Sequence, residues 1–191
     1  MLGQNKRIGK DDVMEYIEII LKDINKNNLN KIIGESIKFE KDSIISSHFF
    51  DKKNNKDIEY QDINNFEDIL CDSGAGDLFL EKVEMGIELE KVVIVITYDE
   101  DTADITLNFC EDQFMRDMNP SLSESIKRLF QTLLEIQNKY NVNNIVVGYE
   151  PATDDDMMIL ELDQNHIKKY NKDIFRSLFA QSLYTVLGDI N

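Results

Sequence analysis

Apolar and polar positions alternate most clearly in two stretches of this chain. Between Lys91 and Cys110 an apolar run, VVIVITY, ends in Tyr98, passes through Asp99, Glu100 and Asp101, and resumes with Ile105, Leu107 and Phe109 on one side. Spacing of two places successive side chains on opposite faces of a strand, so the pattern predicts a hairpin. Val92 to Ile96 is apolar at every position, which suits a central strand at least partly covered on both faces. Asn144 to Asp163 repeats the plan: NIVVGY ends in Tyr149, an acidic connection carries Asp154, Asp155 and Asp156, and MMILELD follows. Helical spacing succeeds each hairpin. Leu122, Ile126, Leu129, Phe130, Leu133, Leu134 and Tyr140 form one stripe, opened by Pro120 and by Ser121 and Glu124 at capping-box spacing. Ile167, Tyr170, Ile174, Phe175, Leu178, Phe179, Val186 and Leu187 form another, running to Gly188.

The first half is less regular. Val13, Tyr16, Ile17, Ile20, Leu21 and Ile24 recur at steps of three and four, predicting an amphipathic helix over 10–26. Ile32, Ile33 and Gly34 suggest a further helical turn. Short strands are expected at 36–41, 43–50 and 57–61, and a short helix over 62–71. The SGAGD segment at 73–77 reads as the most flexible stretch by composition. Val83, Met85, Ile87 and Leu89 alternate with glutamates as in a half-exposed strand, with a disturbance near Glu90 and Lys91 that fits a bulge or turn. The expected fold class is α+β, a mostly antiparallel sheet covered by helices, with two strand–strand–helix units in the C-terminal half. We expect a single domain over 1–191, in which 1–76 supplies a helix and short strands and 77–191 the acidic, two-hairpin half.

Charge adds a second layer. The net charge is −16, and residues 61–165 hold 6 Lys/Arg against 24 Asp/Glu, whereas residues 1–60 balance at 11 and 11. An acidic centre repels nucleic acid and anionic membranes and attracts basic partners or cations, although acidic surfaces also serve solubility alone. The apolar share of 42% with two prolines marks a folded chain. No apolar run is long enough for a membrane span, and no apolar segment follows the basic MLGQNKRIGK start. Cys71 and Cys110 form no CxxC pair, which suits a reducing, cytoplasmic setting.

Candidate chemistry concentrates in the two turns. Asp99/Asp101 and Asp154/Asp156 are DxD spacings that could ligate a hard cation, but the calcium-loop spacing is not met and we expect no metal or cofactor. His48 and His166 belong to no zinc-binding pattern; His48, before Phe49 and Phe50, is expected to be partly buried, and His166 to lie at a helix start on the surface. The CDSGAG segment lacks the lysine ending of a phosphate loop. Cys110 reads as a small buried apolar residue. Tyr98 and Tyr149 each close a strand beside carboxylates, a combination suited to gripping a protein partner or, more plainly, to capping the sheet. The partner-binding candidates are therefore Tyr98, Asp99, Glu100, Asp101, Tyr149, Asp154, Asp155 and Asp156.

The GYEPATDDDMMILELD segment from Gly148 to Asp163, together with the acidic first hairpin, resembles bacterial immunity proteins of polymorphic-toxin and contact-dependent-inhibition systems. The resemblance is one of general type and transfers no site residue by residue. It implies a non-enzymatic, cytoplasmic inhibitor that occupies the basic cleft of a cognate toxin, plausibly a nuclease. The alternatives are a metal-dependent transferase or hydrolase using both carboxylate turns, and a structural or adaptor protein that could self-associate. A composite binding surface requires the two acidic turns to sit side by side.

Overall fold

The computed structural model describes residues 15–70, 72–115, 121–163 and 166–171. Among these residues nine strands form one sheet: β1 Tyr16–Asn25, β2 Ile44–Asp51, β3 Lys56–Ile58, β4 Gly74–Glu84, β5 Glu88–Tyr98, β6 Thr102–Cys110, β7 Asn144–Tyr149, β8 Met158–Asp163 and β9 His166–Tyr170. Their order is β3-β2-β4-β5-β6-β1-β7-β8-β9, and each paired neighbour is antiparallel. The N-terminal strand thus sits inside the sheet, between the two hairpins.

The expected α+β fold, a sheet covered by helices with two strand–strand–helix units, does not hold. Among the described residues this single large sheet dominates, and the helices are few and mostly short. One long helix, Ser121–Tyr140, follows the first hairpin, whereas the second hairpin leads into β9. The predicted last helix is therefore a strand where it can be seen, and its remainder lies outside the described residues. Residue 120, and the capping side chains at 121 and 124, lie outside them too.

The largest correction is at β1, where a helix was expected. Ile17, Ile19 and Leu21 are wholly buried on the main core face, while Ile20 is buried on the other face with Val146, Ala152 and Met158. A strand covered on both sides carries apolar residues at consecutive positions, which imitates helical spacing. A shift of register between Leu21 and Ile24, with Asp23 at φ 54°, then brings Ile24 back to the core after three residues instead of two. Isoleucine's branched Cβ favours the extended chain throughout.

Similar phase shifts shape the β4–β5 hairpin. Leu78, Leu80 and Val83 on β4 face the core, as do Leu89, Val92, Ile94 and Ile96 on β5, so both strands skip one position. Lys91 carries φ 51° at that skip, where the disturbance was expected. The strand predicted over 83–89 is instead the end of β4, the reversal at 85–87 and the start of β5: the Met85 N–H donates to Ile87 O at 2.9 Å, and Met85 is fully buried. Gly86 has φ +75°, and a Cβ there would lie 2.5 Å from Arg128 O, so glycine lets the tip press onto the long helix.

The SGAGD segment is likewise ordered, opening β4. A Cβ at Gly76 would strike the Phe49 ring, and one at Gly74 would lie 2.5 Å from the Tyr98 hydroxyl oxygen. These glycines are seats for aromatic rings. Phe49, Phe66, Tyr60 and Phe39 then run in tilted contact with centroids 5.5 to 6.0 Å apart. The strand expected over 36–41 is reduced to a single bridge, Lys38 with Glu84, and Gly34 lies within the helical turn Ile32–Ser36 instead of after it. The strand expected at 57–61 is β3, giving way to a 3-10 turn at Tyr60–Asp62, and the expected short helix is Phe66–Ile69.

Leu129, Phe130, Leu133, Ile136 and Tyr140 of the long helix, with Leu29, Ile32, Ile33, Phe66 and Ile69, share one buried cluster with the core-facing strand residues. At roughly 1.5–3 kcal/mol per buried large apolar side chain, this face is the main source of stability.

Candidate functional site

Strand direction settles where the acidic turns lie. Tyr98 ends β5, Thr102 of β6 faces Asn25 at the end of β1, and Lys22 faces Asn144 at the start of β7. The 99–101 turn, the end of β1 and the start of β7 therefore share one end of the sheet. Cys110 faces Tyr16 and Ile17 faces Tyr149, so the 150–157 connection lies at the other end. The nine residues of β6 separate the two ends by about 30 Å at ~3.4 Å per residue. Asp99–Asp101 and Asp154–Asp156 do not form one surface, so the juxtaposition that a composite binding surface requires does not occur.

At the 99–101 end, the residues play different parts. Tyr98 is 7% exposed, seated on Gly74, and its phenyl ring faces the Lys26 ammonium at 5.4 Å. The Asp99 carboxylate is consumed by its own turn: it accepts the N–H groups of Asp101 at 3.0 Å and Thr102 at 2.9 Å and the Thr102 hydroxyl. Those backbone bonds hold its pKa below the ordinary carboxylate value. Glu100 and Asp101 point outward and are exposed. They do not stand alone. One hollow beside the turn is bordered by Glu67, Asp72, Glu100 and Asp101, and a second, sharing Asn25, Asn27 and Asp101, is bordered by Asp23, Asn141 and Asn143. Exposed carboxylates from four separate segments and a set of asparagine amides thus converge on one concave end.

Lys26 was missed in the sequence because lysine in a polar break reads as solvated. Here it is 8% exposed, and its ammonium donates to Leu70 O at 3.0 Å, Glu100 O at 3.1 Å and Asp72 O at 3.4 Å. Among the described residues it is the one cationic side chain bordering either hollow.

The far end is built differently. Tyr149 is half-buried, and its hydroxyl donates to Glu111 Oε1 at 2.5 Å; burial first and that carboxylate second push its pKa up. The connection folds back across the sheet, where the Ala152 N–H donates to Glu18 Oε2 at 2.7 Å. Asp154 O accepts the N–H groups of Met157 and Met158, and the Asp155 carboxylate pairs with Lys169 at 2.5 Å. Asp154, Asp155 and Asp156 are exposed along one local loop.

Other candidates resolve plainly. His48 is exposed, not partly buried, and its Nδ1 lies 3.0 Å from Asp77 Oδ2, which raises its pKa. His166 is exposed, on β9 and not at a helix start. Cys110 is half-buried, and residue 71 lies outside the described residues. Among the described residues no group of three or more His, Cys, Asp or Glu side chains is arranged to hold a metal ion, and no helix is long and apolar enough to cross a membrane. A metal enzyme drawing on both turns has no joint site, because the turns lie at opposite ends.

No curated protein matches the sequence. Among solved structures, a chain of the crystal structure of the toxic C-terminal tip of CdiA from Pseudomonas aeruginosa in complex with immune protein shares the fold. The TM-score is 0.53 at 16% identity, covering 83% of this chain and 98% of that one. A Pseudomonas aeruginosa T6SS protein aligns more loosely, at TM-score 0.38 and 7% identity over 75% of this chain and 44% of that one. The PABL017 Cdi1I immunity protein family matches residues 15–165, from the start of β1 past β8 and so through both hairpins, and the chain belongs to that family.

Proposed function

We propose that this protein neutralises a cognate contact-dependent-inhibition toxin by binding its toxic C-terminal domain directly. The observation that carries this reading is the family match across 15–165, supported by a fold shared with a chain from a CdiA toxin–immunity complex. The footprint on this chain is the concave 99–101 end, with Glu100 and Asp101 as contacts alongside Asp23, Glu67 and Asp72. Tyr98 acts from within, and Asp99 shapes the turn from its surface. Two features favour this end over the 150–157 end. Its carboxylates come from several segments around two hollows, and at the other end one of three loop aspartates is already paired with Lys169.

The matching toxin surface is basic. Carboxylates held near a cationic cleft speed encounter and compete with a phosphate-bearing substrate, so a nuclease is the activity such an inhibitor suits best. The inhibitor acts by occupancy, with no chemistry of its own, in the compartment where the toxin acts, the cytoplasm. The test is co-expression with the toxic C-terminal domain of a CdiA-type toxin from the same genome. Restored growth and a co-purifying complex of defined stoichiometry are expected. Continued killing by a toxic domain that shows no complex with the purified protein overturns the reading.

A further inference from the structure

Lys26 is the buried cation that no strand ladder explains. It enters from the end of β1 and ties together three segments that are remote in sequence: the carbonyls of Leu70 and Asp72 after the Phe66–Ile69 helix, and Glu100 in the β5–β6 turn. Its ammonium also faces the Tyr98 ring. Without it, buried and part-buried carbonyls lose their donor, and the turn keeps its own Asp99 bonds and the adjoining ladder. Such a cation lies beneath the carboxylates it organises, while its charge partly offsets theirs.

We infer that Lys26 is the positioning residue of the toxin-binding end, fixing the backbone from which Glu100, Asp101 and Asp72 meet a basic partner. The inference rests on the binding end assigned above. It makes a signed prediction, because electrostatics and positioning pull in opposite directions. Replacing Lys26 with an uncharged side chain makes the end more negative, so charge alone speeds association and tightens the complex. Loss of positioning speeds dissociation.

The experiment measures association and dissociation rates of the purified toxic domain with the full-length wild-type protein, K26M, and the double variant E100K/D101K, well below each melting temperature and normalised to active fraction. For K26M we expect dissociation faster by roughly five- to tenfold, the scale of one ordinary hydrogen bond lost, with association unchanged or faster. Hydrogen exchange should rise at the 99–102 amides. If K26M does not fold, Lys26→Arg carries the same expectation of faster dissociation, since it keeps the charge but displaces the donors. Wild-type dissociation in the folded Lys26 variant, with association slowed in E100K/D101K, overturns the inference while the binding end stands. Wild-type rates in both overturn the binding end itself.

Discussion

Reversing charge at each end of the sheet in turn gives the most decisive test. The two double variants are E100K/D101K and D154K/D156K, chosen because all four side chains are exposed and none anchors its turn. A carboxylate about 6 Å from a partner cation contributes about 0.7 kcal/mol at the dielectric constant of water, so reversing its sign changes that contact by about 1.4 kcal/mol. Two reversals double this, and a Debye length of about 8 Å at physiological salt roughly halves the sum again. The net change is about 1.4 kcal/mol, or roughly tenfold in association rate. The same arithmetic applied across the ~30 Å length of β6 leaves under a tenth of a kcal/mol after screening. Stopped-flow or interferometric binding to the purified toxic domain, repeated at low and high salt, should show about tenfold slowing for E100K/D101K and none for D154K/D156K. The first effect should shrink as salt rises. Equal slowing by both variants, or slowing by D154K/D156K alone, refutes the assignment of the footprint.

Three further outcomes test the fold that presents this end. Ile19→Ala in the middle of β1 should cost about 2–5 kcal/mol in denaturant unfolding, because the side chain is fully buried between β6 and β7. A loss under 1 kcal/mol would contradict its central place. Gly76→Ala should destabilise by roughly 1–3 kcal/mol, since the new Cβ displaces the Phe49 ring and the aromatic chain behind it; unchanged stability would mean the ring can yield. Asp99 has a lowered folded pKa, so its stabilising contribution is present above its ordinary value of 3.8 and is lost as pH falls through the folded value. The stability gap between wild type and Asp99→Ala should therefore be full at pH 6 and narrow towards pH 2. A gap that widens on acidification would contradict the role of the ionised carboxylate.

Both hairpins, the long helix after the first, the tyrosines that close β5 and β7, and the irregularity at Lys91 were legible in the sequence. Each is a local matter: period-two alternation, a polar turn, a stripe at helical spacing. The acidity of the middle segment was equally plain, as was its likeness to immunity proteins, which the family match bears out.

What escaped the sequence depended on neighbours distant along the chain. Strand β1 read as a helix because Ile17, Ile19, Ile20, Leu21 and Ile24 lie on both faces and across a bulge. Only placement between β6 and β7 makes an extended chain apolar on both sides. The glycines at 74 and 76 looked flexible because the rings they accommodate, Tyr98 and Phe49, come from other strands. Lys26 looked solvated because its three carbonyl acceptors lie 44, 46 and 74 residues away. The two acidic turns illustrate the same division. Their composition and their position at strand ends were set locally, so the sequence alone determined them. Whether they face one partner together depended on β1 inserting between the hairpins with antiparallel pairing on both sides. That insertion places them at opposite ends of the sheet.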